Sequence, residues 1–182
     1  MIEKTIKTEQ VFHGRIFDLI LEEVEDGAGA RHKREIINHP GGSVVVPVFD
    51  NGDVMLVRQY RYPYKKFIIE LPAGKLEPLE DPLVAAKREL QEETGYEAER
   101  YEKLTALCTT PGFCNEVLHI YLATGLKKSH RGQNLDEGEQ SLTVEILPLS
   151  TVIEKIVRGE INDGKTIAGI LLAERKMNSI KQ

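Results

Sequence analysis

The chain is poor in the residues that mark secreted, membrane-spanning and nucleic-acid-coating proteins. Its 182 residues include only two cysteines, Cys108 and Cys114. Neither their number nor their spacing builds a disulfide framework, and with five scattered histidines they make no zinc site. Two isolated thiols fit a reducing compartment. No apolar run is long enough to span a bilayer, and the charged start, Met1-Ile2-Glu3-Lys4-Thr5-Ile6, does not read as a signal peptide. The expected location is cytoplasmic, with no membrane partner. Long basic runs are missing too, and the formal net charge is -5, so nucleic-acid binding by bulk charge is disfavoured. No repeat or low-complexity tract occurs. What is present is ordinary globular composition, 41% apolar and 29% charged, enough for one domain with a small appended arm.

Punctuation along the chain gives a coarse map. Short strands are expected at 17–24 and 34–37, separated by the turn Asp26-Gly27-Ala28-Gly29. His39-Pro40-Gly41-Gly42 then interrupts the chain. Residues 1–40 therefore read as a β-rich N-terminal arm and 41–182 as the main domain. Ser43-Val44-Val45-Val46-Pro47-Val48-Phe49 is β-branched and apolar and predicts a buried strand, with Pro47 marking an edge or bulge. Asn51-Gly52 predicts a hairpin into Val54–Val57. A further strand is expected at 67–71, ending in the loop Pro72-Ala73-Gly74. Asp81-Pro82 reads as a helix start and Gly95 as its end, with Leu83, Ala86 and Leu90 on one face. Strands at 103–107, 117–123 and 142–147 and helices at 152–157 and 166–177 complete the pattern. The fold class is α/β, a mixed β-sheet sandwiched between α-helices.

The chemistry is concentrated in Arg88-Glu89-Leu90-Gln91-Glu92-Glu93. Glu89 and Glu93 are four residues apart and share a helix face, with Glu92 beside them. Like charges at that spacing repel, and they stand near the helix C-terminus, the unfavourable end for anions. A solvated acidic face is the plain explanation. A hard divalent cation, bound through oxygen ligands, is the functional one.

The spacing around this helix resembles the Nudix box, G-x5-E-x7-R-E-U-x-E-E-x-G-U, in which U is a bulky aliphatic residue. Gly74, Glu80, Arg88, Glu89, Leu90, Glu92, Glu93 and Gly95 match at every interval, and only the last position departs, as Tyr96. The resemblance implies the Nudix fold and a Mg²⁺-dependent hydrolase, with Mn²⁺ as the alternative ion. It implies that Glu89, Glu92 and Glu93 and the backbone carbonyl of Ala73 bind the metal, and that Glu80 and Arg88 pair structurally.

Further segments resemble the ADP-ribose pyrophosphatase branch of that family. They are Arg58-Gln59-Tyr60-Arg61-Tyr62-Pro63, a proline at Pro111, and Gly159–Thr166 ahead of an apolar helix. Each has a plain alternative as a strand end, a turn or a helix start. Arg58 and Arg61 are candidate diphosphate ligands, Arg61 the stronger, because a guanidinium offers fork-like donors. Tyr60 would stack on adenine or pack against a partner subunit. Glu116 either faces the site or starts a solvent-facing strand. A separate carboxylate is needed to activate water, because the box glutamates are committed to metal. Glu137 matches the branch best, Glu139 stays open, and Glu92 is the fallback. The expected reaction converts a small nucleotide-sugar, ADP-ribose, into AMP and ribose 5-phosphate. The alternatives are another nucleoside diphosphate sugar, a dinucleotide, or a non-catalytic sensing domain. The branch also implies a homodimer held by the arm, too small to bury its own apolar face.

Overall fold

The computed structural model describes residues 2–180. In chain order the strands are β1 (Lys4–His13), β2 (Asp18–Glu25), β3 (Arg31–Asn38), β4 (Gly42–Pro47), β5 (Asp53–Arg61), β6 (Lys66–Glu70), β7 (Ala73–Lys75), β8 (Tyr96–Cys108), β9 (Val117–Lys128) and β10 (Thr143–Pro148). The helices are α1 (Pro82–Thr94), α2 (Leu149–Val157) and α3 (Gly164–Ile180). Two compact units result. One joins the chain up to Gly41 with Cys108–Val117, and the other joins Gly42–Leu107 with the chain from Leu118 onward.

The arm unit is an antiparallel sheet in the order β1-β2-β3. Asp26 builds the β2–β3 turn, its Oδ1 accepting the amides of Ala28 at 2.9 Å and Ala30 at 3.0 Å. β1 is exposed along its whole length, so no inward face marks it in the sequence. Cys108–Val117 joins this unit through backbone bonds, Ile37 N to Phe113 O at 2.7 Å and Asn115 N to Ile37 O at 3.2 Å. The boundary expected at residue 40 is a cut in sequence, whereas these bonds gather a distant segment onto the arm.

The larger unit is organised around β4. Its main sheet has the order β7-β4-β9-β8, with β4 parallel to β9 and antiparallel to β7. A second sheet, β10-β5-β6, is antiparallel. All six residues of β4 are buried. Successive strand side chains point to opposite faces. Val44, Val46 and the following Val48 pack with Val152 of α2 and Ile170 and Ala173 of α3, while Val45 packs with Ala86 and Leu90 of α1. Helices therefore cover both faces, as the continuous valine run requires. Each such valine contributes roughly 1.5–3 kcal/mol by leaving water. α3 lies so close that a Cβ on Gly169 would meet Leu71 Cδ1 at 2.6 Å.

Pro47 does not mark an edge strand. It ends a central strand, paired with Ala123 of β9, at a level that β7 does not reach, because β7 pairs only with Gly42–Val44. A missing N–H is tolerated there because no ladder continues on that side.

Candidate active site

Local sequence delivers the acidic residues to one place. Asp81 caps α1, its Oδ1 accepting from Leu83 N at 2.8 Å and Val84 N at 3.3 Å, and Pro82 fills the first turn. Gly95 stops the helix at φ 72°, with its amide on Gln91 O at 2.8 Å. Between these ends, burial of Ala86 and Leu90 against β4 and β9 turns Glu89 and Glu93 toward β7. Glu93 Oε2 accepts the Ala73 amide at 3.0 Å. The Glu89 carboxylate lies directly over Gly74, where a Cβ would come within 1.9 Å of its Oε1. From the other side, a Cβ on Gly42 would meet Gly74 O at 2.8 Å. Glycine in the box is thus a matter of space: the loop is squeezed between β4 and an acidic helix face.

Arg88 ties this face together. Its Nε and Nη2 reach the two oxygens of Glu80, each at 3.0 Å, and its Nη1 reaches Glu89 Oε1 at 2.6 Å and Glu92 Oε2 at 3.0 Å. The Glu80–Arg88 pair across loop and helix is therefore present. Hydrogen bonding to Arg88 holds Glu80 below the usual carboxylate range. Burial pushes Glu89 up to about 7, opposed by Arg88 and reinforced by Glu92 and Glu139. Burial, with the charges of Glu89 and Glu139, raises Glu93 well above its ordinary value.

These features fit a hard divalent cation. The donors are carboxylate oxygens, their mutual repulsion and burial favour positive charge, and the missing side chain at Gly74 lets the Glu89 carboxylate lie against the Ala73–Gly74 loop. Among the described residues no three His, Cys, Asp or Glu side chains form a finished metal cage. Arg88 and the Ala73 amide occupy oxygens of Glu89, Glu92 and Glu93 instead.

The segment between β9 and β10 is fastened to the end of α1. Asn134 N donates to Glu92 O at 2.9 Å, Gln133 Nε2 to Glu93 O at 2.6 Å, and Gln91 Nε2 to Gly132 O at 2.7 Å. No local pattern in the sequence records these bonds, of which the two from side chains join residues 40 and 41 positions apart. Glu137–Glu139 forms one 3₁₀ turn with Asp136 as its cap. Glu139 Oε2 accepts the Asp136 amide at 3.2 Å, and the charge of Glu139 acts on both Glu89 and Glu93. Glu139 is half-buried, whereas Glu137 is exposed.

The expected substrate residues are split. Strand alternation puts Arg58 and Tyr60 on the exposed face of β5, gathered around Phe67. The Arg58 guanidinium stands 4.6 Å from the Phe67 ring centre, and the Tyr60 ring 5.5 Å. Arg61 points the other way. Its Nε and Nη2 donate to Glu70 at 2.6 Å and 2.7 Å, and it feels the charge of Glu93. Glu116 belongs to the arm unit, where its Oε1 lies 3.3 Å from His39 Nδ1.

Residues 39–169 match the NUDIX domain family. A methanol dehydrogenase activator of Bacillus methanolicus is 46% identical over 168 residues, covering 92% of this chain and 90% of that protein. An ADP-ribose pyrophosphatase of Bacillus subtilis (strain 168) is 42% identical over 174 residues, covering 96% and 94%. The solved structure of an ADP compounds hydrolase shares the fold with a TM-score of 0.85 at 22% identity, covering 98% of this chain and 96% of that one. The chain belongs to the NUDIX domain family.

Proposed function

We propose that this NUDIX protein is a divalent-metal-dependent hydrolase that cleaves the diphosphate of ADP-ribose, giving AMP and ribose 5-phosphate. The observation that carries this reading is the buried pair Glu89 and Glu93 against the Ala73–Gly74 loop. The 42% identity to a protein named ADP-ribose pyrophosphatase supports the substrate. Glu89, Glu92, Glu93 and the Ala73 carbonyl would hold Mg²⁺, or Mn²⁺ in its place. When bound, such an ion neutralises diphosphate charge and acidifies water. Arg61 donates its free N–H groups to the diphosphate. Glu139 accepts the proton of the attacking water, ahead of Glu137, because it is the half-buried loop carboxylate that acts on Glu89 and Glu93. Water bonds to one phosphorus as the bridging P–O bond breaks, and the oxygen leaves with the other phosphate.

The test is AMP release from ADP-ribose, compared with ADP-glucose and NADH, in EDTA and after Mg²⁺ is restored. The expected result is no turnover in EDTA, recovery with Mg²⁺, preference for ADP-ribose, and loss of turnover in Glu93→Gln. Near-normal rates in that variant would remove α1 from the mechanism. The 46% identity to a methanol dehydrogenase activator favours a second reading, in which the chain raises the rate of such a dehydrogenase. Assaying that dehydrogenase with and without the chain separates the two.

Assembly and location complete the proposal. The arm leaves Val11, Phe12, Ile16 and Phe17 exposed, so a homodimer that covers them is the expected state. Arg58 and Tyr60 are assigned to packing against the partner subunit. No described helix is long and apolar enough to cross a membrane, and Cys108 and Cys114 are unpaired. The free thiols support a cytoplasmic location.

A further inference from the structure

We propose that Glu70, seconded by Lys165, is the positioning residue that fixes the Arg61 guanidinium for the nucleotide diphosphate, an inference that rests on the assignment of Arg61 above. Glu70 ends β6 and is only 2% exposed. Its Oε1 accepts Arg61 Nε at 2.6 Å, and its Oε2 accepts Arg61 Nη2 at 2.7 Å as well as Lys165 Nζ. A buried carboxylate is costly unless its oxygens are fully paired. Burial alone would push this carboxyl up, but Arg61 and Lys165 outweigh it and hold it below the ordinary range. Its two oxygens are thus held between two cationic partners.

The geometry at Arg61 is what gives the anion a task. A guanidinium carries five N–H donors in one plane. The fork on Glu70 consumes two of them and fixes the plane. The remaining three point away from Glu70, and the Arg61 side chain is 38% exposed, so they are open to a ligand. Arg61 also feels the charge of Glu93, which puts it within electrostatic reach of the acidic face of α1. A lysine at this position would keep the charge and lose the plane.

Lys165 has a separate part. It bonds Glu70 and also Asp163 Oδ2 at 3.0 Å, so it keeps Glu70 neutralised when the Arg61 charge is drawn toward phosphate. Asp163 Oδ2 in turn accepts Thr166 N at 3.0 Å and the Thr166 hydroxyl at 2.6 Å, and Thr166 Oγ1 accepts the Leu71 amide at 2.8 Å. The start of α3 thus holds both the anion beside Arg61 and the segment that runs from Leu71 through Pro72 into Ala73. The relay joins the diphosphate donor and the metal loop to one support.

The test is a double-mutant cycle on the whole chain, with kcat and KM for ADP-ribose at saturating Mg²⁺ and thermal unfolding followed in parallel. Arg61→Ala is expected to raise KM roughly tenfold to a hundredfold, the range for a lost charged hydrogen bond. Glu70→Gln is expected to raise KM in the same direction by a smaller factor, with kcat changed less. In the Arg61→Ala background, Glu70→Gln is expected to add nothing, because Glu70 acts through Arg61. A merely structural Glu70 would instead worsen both backgrounds equally, and that additive result overturns the proposal. An unchanged KM in Glu70→Gln beside a raised KM in Arg61→Ala overturns it also. An unchanged KM in Arg61→Ala sinks the assignment of Arg61 itself. If Glu70→Gln does not fold, Glu70→Asp, which keeps the charge and shortens the reach, takes its place in the same cycle.

Discussion

At Gly74 a single methyl group would push the Glu89 carboxylate off the loop. Its carbon would sit 1.9 Å from Glu89 Oε1. Gly74→Ala must displace Glu89 by about an ångström, and misplacement on that scale costs on the order of a hundredfold in rate. Steady-state kcat at saturating Mg²⁺ checks this, with unfolding temperature as the control for folding. Glu139 and Glu137 are two residues apart in a 3₁₀ turn of three residues per turn, so they point in different directions. Glu139→Gln is expected to lower kcat by about a hundredfold or more, as removal of a general base does. Glu137→Gln is expected to stay near the parent rate. The reverse order, measured on ADP-ribose, would return the base to the residue that the family pattern favoured.

The raised carboxyls make a pH prediction at the same scale. Glu89 titrates near 7 in the fold and Glu93 also above its ordinary value of 4.5. Between those values the folded chain holds more protons than the unfolded one, so metal-free stability falls as pH rises. Glu70 and Glu80 are shifted the opposite way, and their contribution is already complete above 4.5. The metal-free protein should therefore melt at a higher temperature near pH 5 than near pH 8. Mg²⁺ must displace the protons, so its affinity should rise across the same interval and its binding should release protons, which calorimetry in two buffers measures. A metal-free melting temperature that climbs steadily from pH 5 to pH 8 would contradict the shifts.

Among the elements, helices declared themselves more fully than strands. α1 was legible because its cap, first-turn proline and terminal glycine are local devices, each needing only nearby atoms. β1 was not, because its ten exposed residues carry no alternation to read. β8 spans Tyr96–Cys108, well beyond the expected 103–107, because its exposure pattern is likewise mixed. α3 begins earlier than its apolar stretch, at a cap that Asp163 provides through Thr166. Asp163→Ala should cost about 0.5–2 kcal/mol, the usual loss for an N-cap, and should loosen Lys165 besides. Denaturant unfolding reads the stability. A midpoint equal to the parent's would show that the cap carries no weight.

For the whole molecule the arm poses the sharpest question. Its apolar side chains Val11, Phe12, Ile16 and Phe17 are exposed, and a patch of exposed apolar residues marks an interaction surface. Sedimentation at micromolar concentration should give a dimer, and Phe12→Asp with Val11→Asp should shift it toward monomer. A fully active parent monomer would sink the assembly proposed here. The sequence by itself determined the acidic helix, its loop and the sandwich of helices on the β4 valines, because spacing along one helix or strand dictates which side chains share a face. It also carried the NUDIX family. Only the tertiary structure decided that Arg61 and Arg58 part company, that Glu139 is half-buried and its charge acts on Glu89 and Glu93, and that Glu70, Lys165, Asp163 and Thr166 form one bonded network beside Arg61. Those residues lie up to 95 positions apart, as Glu70 and Lys165 do. Such pairings depend on where separate elements pack in space, and no local period records them.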